Sequence, residues 1–326
     1  FEFAGSYHTS VAYVGSSKVV ISYSDDGNSF YGTAIVGTVN GTDISFGIPV
    51  VYGSAQITYP SVAYDSTNDR VVIAYKDDGN SGYGIVRVGI VNGTDITFGN
   101  PVVFYVGTGS YYNSATYDPD NDKVVIFNQG TYNNGYAVVG TTSRVTEYST
   151  PSATTPVVFD DYLQFAADAY VGNNKVVIAY TDVKAPTDEY PEGSPGASYG
   201  AAIVGIVTTG GIGIGTGITF GTPAYFMEEW APHDIVSTYD SINDRVVIAY
   251  KDNSSYGYGY GTAVVAEVTV GSGITFGTPV IFESAGIYDP TITYDSTNGK
   301  VVIAYSDYGN QNYGTAVVGT VDSSNN

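Results

Sequence analysis

Six copies of one short run dictate what this chain can fold into. VVIAY and its variants end at Tyr23, Tyr75, Asn128, Tyr180, Tyr250 and Tyr305, at spacings of 52, 53, 52, 70 and 55 residues. A unit of this size cannot enclose a core alone, so each copy must bury its apolar faces on its neighbours.

The plainest copy runs from Ser61 to Phe104, SVAYDSTNDRVVIAYKDDGNSGYGIVRVGIVNGTDITFGNPVVF. Four stretches rich in β-branched, aromatic and small residues, SVAY, RVVIAY, GIVRVGIV and ITFGNPVVF, read as strands A to D. The A–B connection, Asp65-Ser66-Thr67-Asn68-Asp69, bonds local backbone and tolerates left-handed conformations, which predicts a hairpin loop. Asn92-Gly93 between C and D predicts a type I′ turn, with positive φ at both residues. The B–C connection, Asp77 to Gly82, is longer and polar.

Strand B is apolar on both faces, as a sheet packed between two others requires, and Gly84 and Gly89 in strand C allow close approach of neighbouring sheets. The expected fold is therefore all-β, a six-bladed β-propeller of four-stranded antiparallel blades forming one domain over residues 1–326. Its copies fall at approximately 11–60, 61–113, 114–165, 166–234, 235–290, and 291–326 together with 1–10. The last copy stops at Val321 to Asn326 without a strand D, whereas Phe1-Glu2-Phe3 reads as a strand with no unit of its own. The N-terminal strand is thus expected to close the last blade and remove an open sheet edge, with a linear array as the alternative. A chain that opens inside a strand is also expected to be an excised piece of a longer polypeptide.

The 11 basic residues stand against 32 acidic ones, a net charge of −21, which disfavours nucleic acid and anionic membrane surfaces as partners. No apolar run approaches the roughly 20 residues needed to span a bilayer, so no membrane insertion is expected. Cysteine is absent, which excludes disulfides, thiolate metal sites and cysteine nucleophiles. Few lysines among many Asp, Asn, Ser, Thr, Gly and Tyr predict an extracellular, cell-surface or virion location.

Antiparallel alternation sorts the connections by end: A–B and C–D loops at one end of the blades, B–C and D–A at the other. The second end collects what the repeat does not explain. The Val183 to Ser198 insertion is a B–C loop, and the D–A loop Phe226 to Asp234 holds the only Met, the only Trp, Trp230, and one of two histidines, His233. Each D–A connection also places a ring five or six positions before the strand-A Tyr: Tyr7, Tyr59, Tyr112, Phe165, His233 and Tyr288. Trp230, His233, Tyr7, Tyr59, Tyr112 and Tyr288, with Glu229 and Asp234, are the candidate ligand-binding residues, because sugar rings stack on aromatics and hydrogen-bond to carboxylates. The competing reading is that the rings wedge between blades and finish the core.

Asp118-Pro119-Asp120-Asn121-Asp122 alternates carboxylates like a calcium loop, whose cation takes six to eight oxygens. Its counterparts keep only the first Asp and the Asn, as a hairpin turn would, so Asp118, Asp120 and Asp122 stand only as a secondary calcium candidate and no cofactor is expected. Asp25 to Phe30 and Asp77 to Ser81 bear a faint likeness to the Asp-box of sialidases, without its upstream Ser or the arginine cluster that a sialidase needs. Glu228, Glu229, Asp234 and His233 are the ingredients of a hydrolase with no pattern that fixes their geometry.

YDSTNDRVVIAYKDDGNSGYG and ITFGTPVVF resemble the tandem repeats of about fifty residues in tail-fibre proteins of marine bacteriophages and surface proteins of aquatic microbes. The resemblance covers nearly the whole chain; it implies an exposed adhesive or structural role on a propeller and carries over no catalytic residue. The expected function is a non-enzymatic binding module, an adhesin or receptor-binding unit whose partner is a cell-surface glycan or other subunits of its assembly. A structural or decoration subunit and a secreted polysaccharide-cleaving enzyme are the alternatives.

Overall fold

The computed structural model describes residues 5–41, 43–107, 109–142, 152–153, 156–161, 163–183, 198–208, 217–228, 230–254 and 259–322. The Phe1-Glu2-Phe3 strand, Glu229 and most of the two insertions of copy 4 lie outside the described residues. The chain divides into two compact units, Phe1–Val158 with Thr208–Ile218, and Phe159–Val207 with Thr219–Asn326.

Strands A, B and C form an antiparallel meander in every copy. In the first unit these are Ser6–Tyr13, Lys18–Asp25 and Tyr31–Asn40, then Val50–Asp65, Arg70–Asp77 and Tyr83–Asn92, then Tyr111–Asp118, Lys123–Gln129 and Gly135–Thr141. In the second they are Leu163–Tyr170, Lys175–Val183 and Ser198–Val207, then His233–Asp240, Arg245–Asp252 and Tyr260–Val268, then Val280–Asp295, Lys300–Asp307 and Tyr313–Gly319. The six meanders fall into four hydrogen-bonded sheets of 9, 5, 5 and 7 strands.

Two features depart from the sequence expectation. Strand D is not one strand: Asp43–Phe46 pairs with the far half of Tyr31–Asn40, and Val50 onward pairs with its near half. A Gly-x-Pro step divides them, since proline offers no N–H to the ladder, but the Gly47 N–H still reaches Val36 O at 2.9 Å, and Gly99, Gly221 and Gly277 repeat the contact. The D–A connection is not always a loop either. Val50–Asp65 and Val280–Asp295 are continuous 16-residue strands, each pairing first with the strand C behind it and then with the strand B ahead.

The turns carry their own chemistry. Asp65 Oδ1 accepts from the N–H of Thr67 and Asn68 at 3.0 and 2.9 Å, and its Oδ2 from Asn68 Nδ2 at 2.9 Å. Asp118, Asp240 and Asp295 make the same three bonds. Asp118 therefore uses both oxygens in its own hairpin, as its counterparts do. The C–D turn is shifted by one from the type I′ expectation: Asn92 pairs with Asp95, the central residues are Gly93 and Thr94, and only Gly93 has positive φ, at 64°. One positive φ at the first central position is the pattern of the II′ class.

Strand B shows why it reads apolar throughout. Val71, Ile73 and Tyr75 pack into the cluster shared with copy 1, holding Val20, Val36, Tyr52 and Ile57, while Val72 and Ala74 pack with Val124, Ile126 and Val138 of copy 3. In the second unit Val246, Ile248 and Tyr250 face copy 4, and Val247 and Ala249 face Val301, Ile303 and Tyr305 of copy 6. Fully burying each such Ile or Val is worth about 1.5–3 kcal/mol, so the run holds two interfaces at once. The strand-C glycines make room for a ring of their own sheet and not, as expected, for a neighbouring sheet: a Cβ on Gly32, Gly84, Gly200 or Gly261 would come within 2.4 to 2.7 Å of the Tyr52, Phe104, Phe226 or Phe282 ring of strand D.

Candidate functional site

Each strand A enters its blade through a β-bulge. The irregularity lies at Tyr7/Ser10, Thr58/Ser61, Tyr111/Ser114, Gln164/Ala166, His233/Val236 and Tyr288/Thr291. Inside it one residue has positive φ: His8, Tyr59, Tyr112, Phe165, Asp234 and Asp289, between 44° and 52°. Left-handed backbone is costly for such side chains, and bulges re-aim the residues they carry.

This register corrects the ring series read from the sequence. Tyr59, Tyr112 and Phe165 occupy the left-handed position, whereas Tyr7, His233 and Tyr288 stand one residue earlier, paired across the ladder with Ser24, Lys251 and Ser306. The six rings therefore fill two adjacent positions of the bulge, where the regular alternation of side chains is interrupted. Exposure does not follow the split: Tyr7 is 52% and Tyr288 38% exposed, but His233 at the same position is half-buried, as are Tyr59, Tyr112 and Phe165.

In the first unit the rings touch in series. His8 lies 4.9 Å from Tyr59 between centroids, and Tyr59 lies 5.2 Å from Tyr112 and 5.8 Å from Tyr111, which is itself 37% exposed. Lys76 Nζ sits 4.6 Å over the Tyr111 ring and pairs with Asp78 at 2.6 Å. Tyr7 packs instead on Phe30, at 5.9 Å. Burial lowers the His8 pKa, opposed by Asp78 and aided by Lys76, and burial raises that of the Tyr59 hydroxyl.

In the second unit His233 stacks on Phe165 at 4.6 Å, and Lys251 Nζ lies 4.2 Å over the Tyr288 ring. Burial raises the Asp234 carboxyl above the usual range; His233 and Lys251 pull it down and Asp289 pushes it further up. Burial also lowers the His233 ring, against the pull of Asp234. Trp230 is half-buried with φ 65°, in a turn anchored to the B–C end: Thr181 Oγ1 donates to Pro232 O at 2.5 Å and Asn253 Nδ2 to Ala231 O at 3.1 Å. Glu228 is exposed, and Glu229 lies outside the described residues.

Lys76, Lys251, Tyr111, Asp78 and Asp289 are site residues that the sequence reading passed over. Their signal is IAYKD, in which only copies 2 and 5 follow the strand-B Tyr with Lys. Among the described residues no group of three or more His, Asp or Glu is arranged to hold a metal ion.

Within each unit strands A of successive copies lie side by side, and Ser10 and Ser61 hydroxyls accept the N–H of Val62 and Ala115 in the next copy at 3.1 and 3.0 Å. Solved structures that resemble the chain are β-propellers, and that is its fold class. They include AofleA from Arthrobotrys oligospora, with 9% identity, TM-score 0.60, and 98% of this chain and 85% of that one covered. The BP39L lectin from Burkholderia pseudomallei matches at 11% identity and TM-score 0.61 over 98% and 82%, and Kuenenia stuttgartiensis hydrazine synthase at 12% and 0.58 over 94% and 78%. No protein-family model matches the sequence, and no curated protein matches it significantly.

Proposed function

We propose that this chain is a non-enzymatic glycan-binding module that takes sugar at the end of the blades formed by the D–A bulges and B–C turns. The observation that carries the reading is the series of exposed and half-buried rings set beside Asp78, Asp234 and Asp289, which offers apolar platforms next to hydroxyl acceptors. Resemblance in fold to a lectin supports it. In the same proposal the six meanders are six blades of one domain over 1–326, the N-terminal strand completes the last, and no cofactor takes part. The module sits on a cell surface or virion, in an assembly of the tail-fibre kind. Glycan-array binding tests the reading: Trp230→Ala and Tyr288→Ala are expected to weaken it about tenfold or more, the usual effect of truncating an aromatic anchor. Unchanged binding by both variants overturns it.

A structural subunit is the second reading. One observation favours it: Val51, Val103, Val158, Tyr225 and Ile281, at matching places on the outermost strand of five copies, are all exposed.

A further inference from the structure

Among the described residues, nine carry a Lys or Arg, and their placement is not random. Lys18, Arg70, Lys123, Lys175, Arg245 and Lys300 each begin a strand B, at the A–B end, and Arg87 lies within a strand C, donating to Gly99 O at 3.1 Å. Only Lys76 and Lys251 lie at the bulge end, both at the next-to-last residue of strand B. Copies 1, 3, 4 and 6 have Ser24, Gln129, Thr181 and Ser306 at that place. Both lysines reach the strand A of the following meander and cover a Tyr at the same bulge position, Tyr111 and Tyr288, at 4.6 and 4.2 Å. Lysine and tyrosine therefore come as a pair, twice, once in each unit.

We infer that Lys76–Tyr111 and Lys251–Tyr288 are two equivalent subsites for an uncharged, hydroxyl-rich sugar, which gives the module two binding sites per chain. The chemistry comes from what surrounds each pair. Lys76 is neutralised by Asp78 at 2.6 Å. Around Lys251 the charges that perturb one another are Lys251, His233, Asp234 and Asp289, two carboxylates against one ammonium when the imidazole is neutral. Neither station has positive charge to spare, so a uronic or sialic acid meets repulsion in a chain already at −21. A neutral pyranose meets an ammonium that donates to its oxygens, carboxylates that accept from its hydroxyls, and a tyrosine edge for its C–H face.

The inference rests on the glycan-binding reading, and the test separates the two. Methyl pyranosides of glucose, galactose, mannose and fucose, with glucuronic and galacturonic acids for contrast, are titrated calorimetrically into the wild type, Lys76→Met, Lys251→Met and the double variant. Methionine keeps an apolar stem over the ring, and a thermal melt of each variant confirms folding. The expected result is two sites for a neutral pyranoside, with affinity unchanged between about 0.05 and about 0.5 M NaCl. One site is lost in each single variant and both in the double. Two sites retained in all folded variants, or salt-sensitive preference for the acids, overturns the inference. If Trp230→Ala abolishes binding while the lysine variants are inert, the reading stands and the inference falls. If the wild type binds none of the panel and no glycan on an array, both fall.

Discussion

Gly261→Ala puts a number on the contact between a strand-C glycine and the strand-D ring that packs over it in the same sheet. A methyl group there would lie 2.5 Å from Phe282 Cε2, 2.8 Å from Cζ and 3.0 Å from Cδ2. The ring also packs on Tyr305 at 5.4 Å between centroids and borders an apolar cavity with Val301 and Ile303, so any retreat gives up the Tyr305 contact. Two effects oppose each other. Alanine restricts the unfolded chain and by that route stabilises by about 0.4–1 kcal/mol, while forcing a methylene into a packed contact costs about 1–3 kcal/mol. The steric cost wins, and we expect a net loss of about 1–2 kcal/mol, read as a lower urea midpoint at unchanged slope. Phe282→Leu in the same chain opens the space and should recover part of that loss, so the two changes couple. A Gly261→Ala protein as stable as wild type, or strictly additive variants, would refute the argument that these glycines exist to admit a ring.

Four further expectations follow from the site and the turns. Burial raises the Asp234 pKa, so the folded state prefers the protonated acid and the carboxylate costs stability at neutral pH. Asp234→Asn should therefore melt higher at pH 7, with the gain fading as pH falls from the raised folded pKa toward the ordinary carboxylate value and absent below it, while glycan binding weakens. The lowered pKa of His8 and His233 has the opposite sense: the folded state holds them neutral, so wild-type stability should decline as pH falls through about 6.5. Asn128 is buried where five copies have Tyr, and neither amide atom has a partner, so Asn128→Leu should stabilise by about 1–3 kcal/mol in a denaturant titration. Asp118→Ala should cost about 1–2 kcal/mol through its lost turn bonds, and chelator should leave the wild-type melting temperature unchanged; a drop would restore the calcium reading.

Strand B was legible because its physics is local: a run apolar at every position has only one use, burial on two sides, and Val71 to Tyr75 alternate between two clusters as that requires. The A–B hairpins were legible for the same reason, since Asp65 and Asn68 bond within five residues. The division of strand D was missed although Gly-x-Pro announces it, because the glycine N–H of that step still donates to a strand-C carbonyl and keeps the ladder together. The ring series was half legible. Counting residues located the rings, but a bulge shifts register by one, and no spacing rule says which of two neighbours takes the left-handed position. Lys76 and Lys251 were overlooked because their partners stand on the strand A of the following meander, at Tyr111 and Tyr288.

Val50–Asp65 and Val280–Asp295 have a consequence for descent. Each is the outer strand of one meander and the inner strand of the next, so the boundary between units of structure falls in the middle of an unbroken element. A gene that grows by unequal crossing-over gains or loses one period wherever the exchange happens to fall. Here any such exchange, even within a strand, delivers a whole number of strands, each with a partner of the proper register waiting beside it. The covalent splice between copies is thereby insensitive to where recombination cuts.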